Sequence, residues 1–220
     1  MILNFGEIKM GYTVEELEYK GMNIEIQVDE DPMNPRTEWD NICIFHIAHS
    51  RYNFGDENYN DRDSVKEAEL TAVANGDIVL PLYMYEHGGI TISLGPFSCP
   101  WDSGQVGFVQ VPKRKMIEEF GGKIFTPALK KKALEIAEGE VQTLDSYVRG
   151  DVYGYVITDK DGEDIDSCWG WYGDTDEPIA EAKRIVDWHI KEKIKEHGNQ
   201  VKIWIKNKVG LNYRTALSLQ

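Results

Sequence analysis

Asp56, Asn58, Asn60 and Glu67 stand at positions 1, 3, 5 and 12 of a twelve-residue window. Alternate side-chain oxygens followed by a late glutamate are the donor pattern of a calcium loop, where the oxygens converge on one hard cation and the glutamate closes the shell. Magnesium takes the same class of oxygen donor. Three features oppose the pattern. Position 6 is Asp61, where the sharp turn takes glycine. The segment before the loop reads as a strand rather than a helix. Glu67 also has a competing role three residues after Ser64, the spacing of a capping box at a helix start. The stretch is therefore read first as a solvated polar loop and second as a Ca or Mg site.

Other groups with chemical potential are weaker. Asp159, Asp161, Glu163, Asp164 and Asp166 surround Gly162, but at spacings that suit solvated hairpin carboxylates better than a cation loop. His46 and His49 with His87 would make a zinc triad, yet residues three apart on a strand point to opposite faces, and His46 lies within an apolar run that suits a hydrogen-bonded core histidine. Cys99 with His87 or Asp102 has the residue types of a nucleophilic site, which needs a base on the sulfur and a group orienting that base. Pro96, Pro100 and Gly104 favour a structural corner there, with Trp101 packed against it. Gly88-Gly89 and Gly121-Gly122 lack the context of a phosphate fingerprint. The basic runs 113–115 and 130–132 read as solvated helix faces.

The elements that must position these residues follow from hydrophobic periodicity. Met22–Val28 alternates as a half-buried strand does, and 29–35 is an acidic loop with two prolines. Residues 42–48 (ICIFHIA) form an apolar run expected of a central strand. A polar loop over 51–63 precedes a helix starting at Ser64 and stopped by Asn75-Gly76. Strands are expected over 78–85, 90–94 and 106–111, with Pro81 marking an edge or a bulge. Helices follow over 114–120 and from Thr126, with Pro127 in the first turn, to Gly150. Asp161-Gly162 joins a hairpin of Val152–Thr158 and 165–171. A last helix over 178–197, capped by Gly198, leads to a strand over 201–205. The order predicts an α+β fold: a mixed, largely antiparallel sheet with about four helices packed mainly on one face. One domain over 1–220 is expected, with a small lobe over 151–220 as the alternative division.

The 220 residues carry a net charge of −14, and residues 1–75 hold 16 acids against 6 bases. Such a surface repels nucleic acid at long range, so no direct nucleic-acid binding is expected. From Asn199 onward there are no acids and four bases, Lys202, Lys206, Lys208 and Arg214. The cysteines, Cys43, Cys99 and Cys168, are odd in number and far apart, so a disulfide framework is not expected. With no secretion-signal pattern at the start and no membrane-length apolar run, the expected setting is a cytoplasm.

The segments FHIAHSRYNFGDEN (45–58), LPLYMYEHGGITIS (80–93), FSCPWDSGQVGFV (97–109), YVRGDVYGYV (147–156) and SCWGWYG (167–173) resemble a family of bacteriophage and mobile-element proteins, with PFSCPWDSGQVG the most distinctive piece. The resemblance spans about 42–173. No established activity attaches to that family, so the resemblance implies a setting in a bacterial host cytoplasm and no catalytic residue.

The expected function is that of an acidic accessory protein that binds a host protein and inhibits a defence or nucleic-acid-handling factor. Asp29, Glu30, Asp31, Asp56, Glu57, Asp61, Asp63, Trp101 and Asp102 are the expected contact residues, since a carboxylate-covered surface complements a basic groove. A small divalent-metal-dependent hydrolase or nuclease, using Asp56, Asn58, Asn60, Glu67, His46 and His49, is the second reading. A self-assembling module built on Trp169, Trp171 and Tyr172 is the third.

Overall fold

The computed structural model describes residues 11–208. They form two mostly antiparallel sheets and four helices, an α+β fold. The sheets are separate, where sequence reasoning expected one. The chain divides into two compact units.

The larger unit comprises Val28–Tyr153 and Trp169–Asp174, with Gly11. Its five-stranded sheet runs β4 (Glu57–Asn58), β3 (Ile44–Ile47), β7 (Ser103–Val111), β5 (Ile78–Glu86), β6 (Ile90–Ser93). Only β3–β4 is parallel among the pairings that set its register. Pro81 sits where β5 has β7 on one side but not yet β6, one step before a register shift at Leu82/Tyr83. A residue without an N–H therefore occupies an edge position beside a bulge.

Alternation along the strands gives the sheet two faces. On one, Phe45, Ile47, Leu82, Met84, Val109 and Val111 pack with Met116 of α2 (Lys113–Phe120) and with Ala133, Ala137, Val141 and Leu144 of α3 (Pro127–Arg149). α3 begins where Thr126 caps the backbone N–H of Leu129 and Pro127 fills the first turn. On the other face, Phe108 packs with Val65 and Ala72 of α1 (Arg62–Ala74). Helices thus cover both faces of this sheet, α2 and α3 on one and α1 on the other, because His46 and Phe108 alternate with the α3-facing residues and need their own cover. Burying each such large apolar side chain is worth about 1.5–3 kcal/mol.

β3 and β7 approach unusually closely at Gly107, opposite Ile47. A Cβ built there would lie 1.8 Å from the His46 carbonyl oxygen. No side chain fits.

The smaller unit comprises Tyr12–Gln27, Gly154–Cys168 and 175–208. Its four-stranded sheet runs β1 (Thr13–Tyr19), β2 (Met22–Val28), β8 (Val152–Thr158), β9 (Asp164–Tyr172). β1 and β2 meet at Lys20-Gly21, both with positive φ, as a tight hairpin turn requires. The expected turn at Asp161-Gly162 forms, braced by the Asp159 carboxylate, which accepts from the N–H groups of Asp161 and Glu163. Those bonds hold the Asp159 pKa below its ordinary value. Asp166 accepts from the Tyr155 hydroxyl, whose pKa burial and that carboxylate push up to about 12.

α4 spans Asp176–Lys208 without a break at Gly198. The expected cap there and the expected strand over 201–205 are both corrected. Val201, Ile203 and Ile205 alternate at period two with Lys202, Trp204 and Lys206, whereas Val201, Trp204 and Ile205 share one face at period 3.6, and the helix realises the second pattern. Arg214 lies outside the described residues. No described helix is long and apolar enough to cross a membrane.

Candidate functional site

The stretch 96–107 turns the chain from β6 into β7 of the larger unit. Tyr85 pairs with Ser103 and Met84 with Gly104, and the Asp102 carbonyl accepts from the Glu86 N–H at 2.8 Å, so the sheet ladder fixes the corner from below. The Ser103 hydroxyl donates back to the Cys99 carbonyl and closes the loop. The Asp102 carboxylate holds its sides: His87 Nδ1 lies 3.3 Å from Oδ2, and Cys99 Sγ donates to the same oxygen at 3.8 Å. These ties leave Trp101 at the tip, 91% exposed. The expectation that Trp101 packs against the corner is corrected: sheet and carboxylate hold the loop, and the indole is not used.

Trp101 borders a cleft of about 420 Å³ lined also by His49, Arg51, Arg62, Glu86, Asp102 and the first residues of β7. One wall is preassembled. Arg51 pairs with Glu86 at 2.6 Å, the Tyr52 hydroxyl donates to the same carboxylate at 3.1 Å, and the His49 ring stacks on Tyr52 with centroids 5.1 Å apart. Arg62 enters from the first turn of α1. The fold therefore brings the start of the 62–74 helix and the 96–107 corner, more than thirty residues apart in sequence, to one cleft. It offers an exposed indole, two guanidinium groups and two carboxylates: means for recognition, with no reacting centre evident. In the corner the order is thiol, carboxylate, imidazole. A cysteine nucleophile needs the imidazole on the sulfur, and here it is on the carboxylate.

The acid-rich stretch behaves differently. Arg36, whose side chain is only 4% exposed, binds Asp56 at 2.6 Å and Glu140 at 2.7 Å, donates to the Cys43 carbonyl at 2.8 Å, and lies over the Phe45 ring. Asp56 also accepts from the Phe45 N–H at 2.7 Å, and Glu140 from the N–H groups of Ile42 and Cys43. Burial opposes the Arg36 charge, and the two carboxylates more than offset it, holding its pKa above the ordinary value. This is a pin across β3, the 29–40 loop and α3. Cys43 beneath it is buried, which pushes its thiol pKa far up and leaves it inert.

The residues of the expected cation loop thus have separate roles. Asp56 is in the pin. Asn58 donates to the Gly55 carbonyl at 2.8 Å. Asn60 is exposed, and Glu67 sits on the exposed side of α1. Among the described residues no group of three or more His, Cys, Asp or Glu side chains is arranged to hold a metal ion. The capping box is corrected too. Asp61 is the N-cap, accepting from the Ser64 N–H at 2.8 Å and the Ser64 hydroxyl at 2.9 Å, and the helix begins at Arg62. Among the other expected contact residues, Glu30, Asp31, Glu57 and Asp63 are exposed, while Asp29 braces its own turn by accepting from the Asp31 N–H.

His46 is buried and fully engaged: Nδ1 meets the Tyr59 hydroxyl at 2.9 Å, Nε2 meets Gln110 at 2.8 Å, and the ring stacks on Phe108 at 4.3 Å. Gln110 continues the chain of bonds to Asp77, which caps the Lys113 N–H at the start of α2. It is a core histidine.

Sequence reasoning missed Arg36, Arg51 and Arg62. Isolated arginines in polar loops carry no periodic signal, and their partners lie up to 104 residues away. The one available hint was an arginine amid acids in 29–40. No family profile, curated protein or solved structure matches this chain.

Proposed function

We propose that this is a binding protein of bacteriophage or mobile-element type, which engages a host protein through the Trp101 corner and its cleft. The observation that carries the reading is Trp101 itself. A tryptophan held 91% exposed by a corner that does not need it costs solubility without contributing to the core. Tryptophan and arginine are the residues that anchor protein interfaces. Arg51, Arg62, Glu86 and Asp102 supply polar groups of both signs around the indole, so the partner segment carries an apolar side chain flanked by charged or polar groups. Glu30, Asp31, Glu57 and Asp63 add to the acidic surface, which steers a basic partner and makes the complex salt-sensitive. The acidic contact surface is correspondingly smaller, because Asp56 and Asp61 are spent on the pin and the cap.

The test is capture from bacterial lysate by the tagged full chain, with the Trp101→Ala chain in parallel, at low and moderate salt. One host protein retained by the native chain, weakened by salt and lost with Trp101→Ala, is the expected result. Equal retention by both chains, or no retained protein, overturns the reading.

A further inference from the structure

We propose that the second half of α4 is a self-association seam, closed by the same helix of a second copy of this chain.

The first half of the helix is anchored within its own unit. Pro178, Ala182 and Val186 are buried, Lys20 pairs with Asp187 at 2.6 Å, and Thr175 donates to Glu15 just before the helix begins. Beyond Val186 no described residue is buried. A helix of 33 residues is about 50 Å long, so more than half its length extends past its last buried side chain. The stripe nevertheless continues in register, apolar except for His197. Ile190, Ile194, His197, Val201 and Trp204 follow at intervals of four, three, four and three, the spacing that keeps one face toward a partner helix. Ile194 is 67%, Val201 41% and Trp204 59% exposed.

The placement of charge selects the occupant. The positions flanking the seam are Lys191, Gly198 and Ile205 on one side and Lys193, Gln200 and Asn207 on the other. From Gln200 to Asn207 and at Gly198 these flanks are uncharged; Lys191 and Lys193 flank the seam where it leaves the anchored half, and Lys208, four residues past Trp204, stands on the stripe at its far end. Lys195, Lys202, Lys206, Glu192 and Glu196 fall on the outer half of the helix. An anionic bilayer or a nucleic acid would need lysines beside the apolar stripe, where their stems reach the same surface. The net charge of −14 repels both as well. A second copy presents the same apolar seam with flanks that are neutral from Gly198 to Asn207, and it keeps the charges between Ile194 and Asn207 on the outer faces, leaving Lys191, Lys193 and Lys208 at the two ends. Closing two seams would bury on the order of 1,000 Å², the least that a specific interface needs. The contact is therefore a weak dimer, assembling at about 10–100 µM rather than at nanomolar concentration.

The test is sedimentation velocity of the full chain from about 2 to about 200 µM, a range that brackets micromolar affinity. Average mass rising from one chain toward two is expected. The double variant Ile194→Ala with Trp204→Ala removes seam area while adding the best helix former, so helix loss cannot mimic its effect. It should weaken association by about thirtyfold or more. Ile203→Ala is the control: it is 59% exposed, like Trp204, but on the outer half of the helix, and it should leave association unchanged. A monomer at the highest concentration, a dimer indifferent to the seam variant, or equal loss with Ile203→Ala each overturns the proposal. So does monomer binding to phosphatidylglycerol vesicles, which would assign the face to a membrane surface.

Discussion

Two stretches are rich in side chains that do chemistry, the acidic 56–63 and the 96–107 corner, and the fold treats them oppositely. In the first, Asp56 turns inward to Arg36 and Asp61 turns back to cap α1. In the second, the β5–β7 ladder, Ser103 and the Asp102 carboxylate hold an indole out in water. The contrast also runs within the corner. Its root, Gly107, lies where no Cβ fits, and its tip, Trp101, is 91% exposed. Residue type did not separate an architectural role from an available one. The nearest partner did.

Gly107→Ala attacks the root. Its methyl group would overlap the His46 carbonyl, a backbone atom that cannot move aside without breaking the β3–β7 ladder. The expected loss is at least about 4 kcal/mol, among the largest single-residue effects. Solubility on expression and urea unfolding measure it, and a folded variant with native midpoint would show that β3 and β7 lie farther apart.

Arg36→Ala attacks the pin. It leaves Asp56 and Glu140 without their cation, and breaking such a pair by removing one partner costs about 3–5 kcal/mol. The cost should barely respond to salt, because the guanidinium is almost wholly enclosed. A loss below about 1 kcal/mol, the range of surface pairs, would return Asp56 to the available acids. Millimolar calcium raising the melting temperature of the native chain would do the same from the other side.

How much was legible follows the same division. Met22–Val28 and Val152–Thr158 were read with their exact ends, and α3 nearly so, because alternation, a threonine cap and a first-turn proline are local signals. β1 was missed. TVEELEY is an exposed edge strand with three glutamates, so burial left no alternating imprint on it. The end of α4 was misread because its apolar residues overlap two patterns, Val201, Ile203 and Ile205 at period two and Val201, Trp204 and Ile205 at period 3.6. The pin was illegible, since it joins Arg36 to Glu140 across 104 residues. The corner was located by its motif, but whether Trp101 packed or faced solvent depended on the sheet beneath it.

Asp61→Ala tests a smaller architectural role on the exposed side of the acidic stretch. Loss of the cap should lower the melting temperature by about 2–4 °C at pH 7. Its backbone bond from Ser64 holds the Asp61 pKa below the ordinary carboxylate value. A folded-state pKa below the unfolded one contributes stability that is present above the unfolded pKa and lost as pH falls through the folded one. The gap between native and variant chains should therefore hold from pH 7 to pH 5 and close in acid below the ordinary carboxylate range. No gap at any pH would mean that Ser64, not Asp61, caps the helix.

Trp101→Ala should move stability least of all. The indole is not part of the core, so the urea midpoint should stay within about 0.5 kcal/mol of native. The corner should keep its shape, because the bonds from Glu86, Ser103 and Cys99 do not involve the indole. If partner affinity then falls by about thirtyfold, the cost of a lost interface anchor, the two ends of one twelve-residue motif will have been separated. Gly107 would set the fold and Trp101 what the fold binds. A fall in stability of about 2 kcal/mol with Trp101→Ala would instead mean that the indole packs in solution, and the partner-binding role would have to move to Arg51 and Arg62 in the cleft wall.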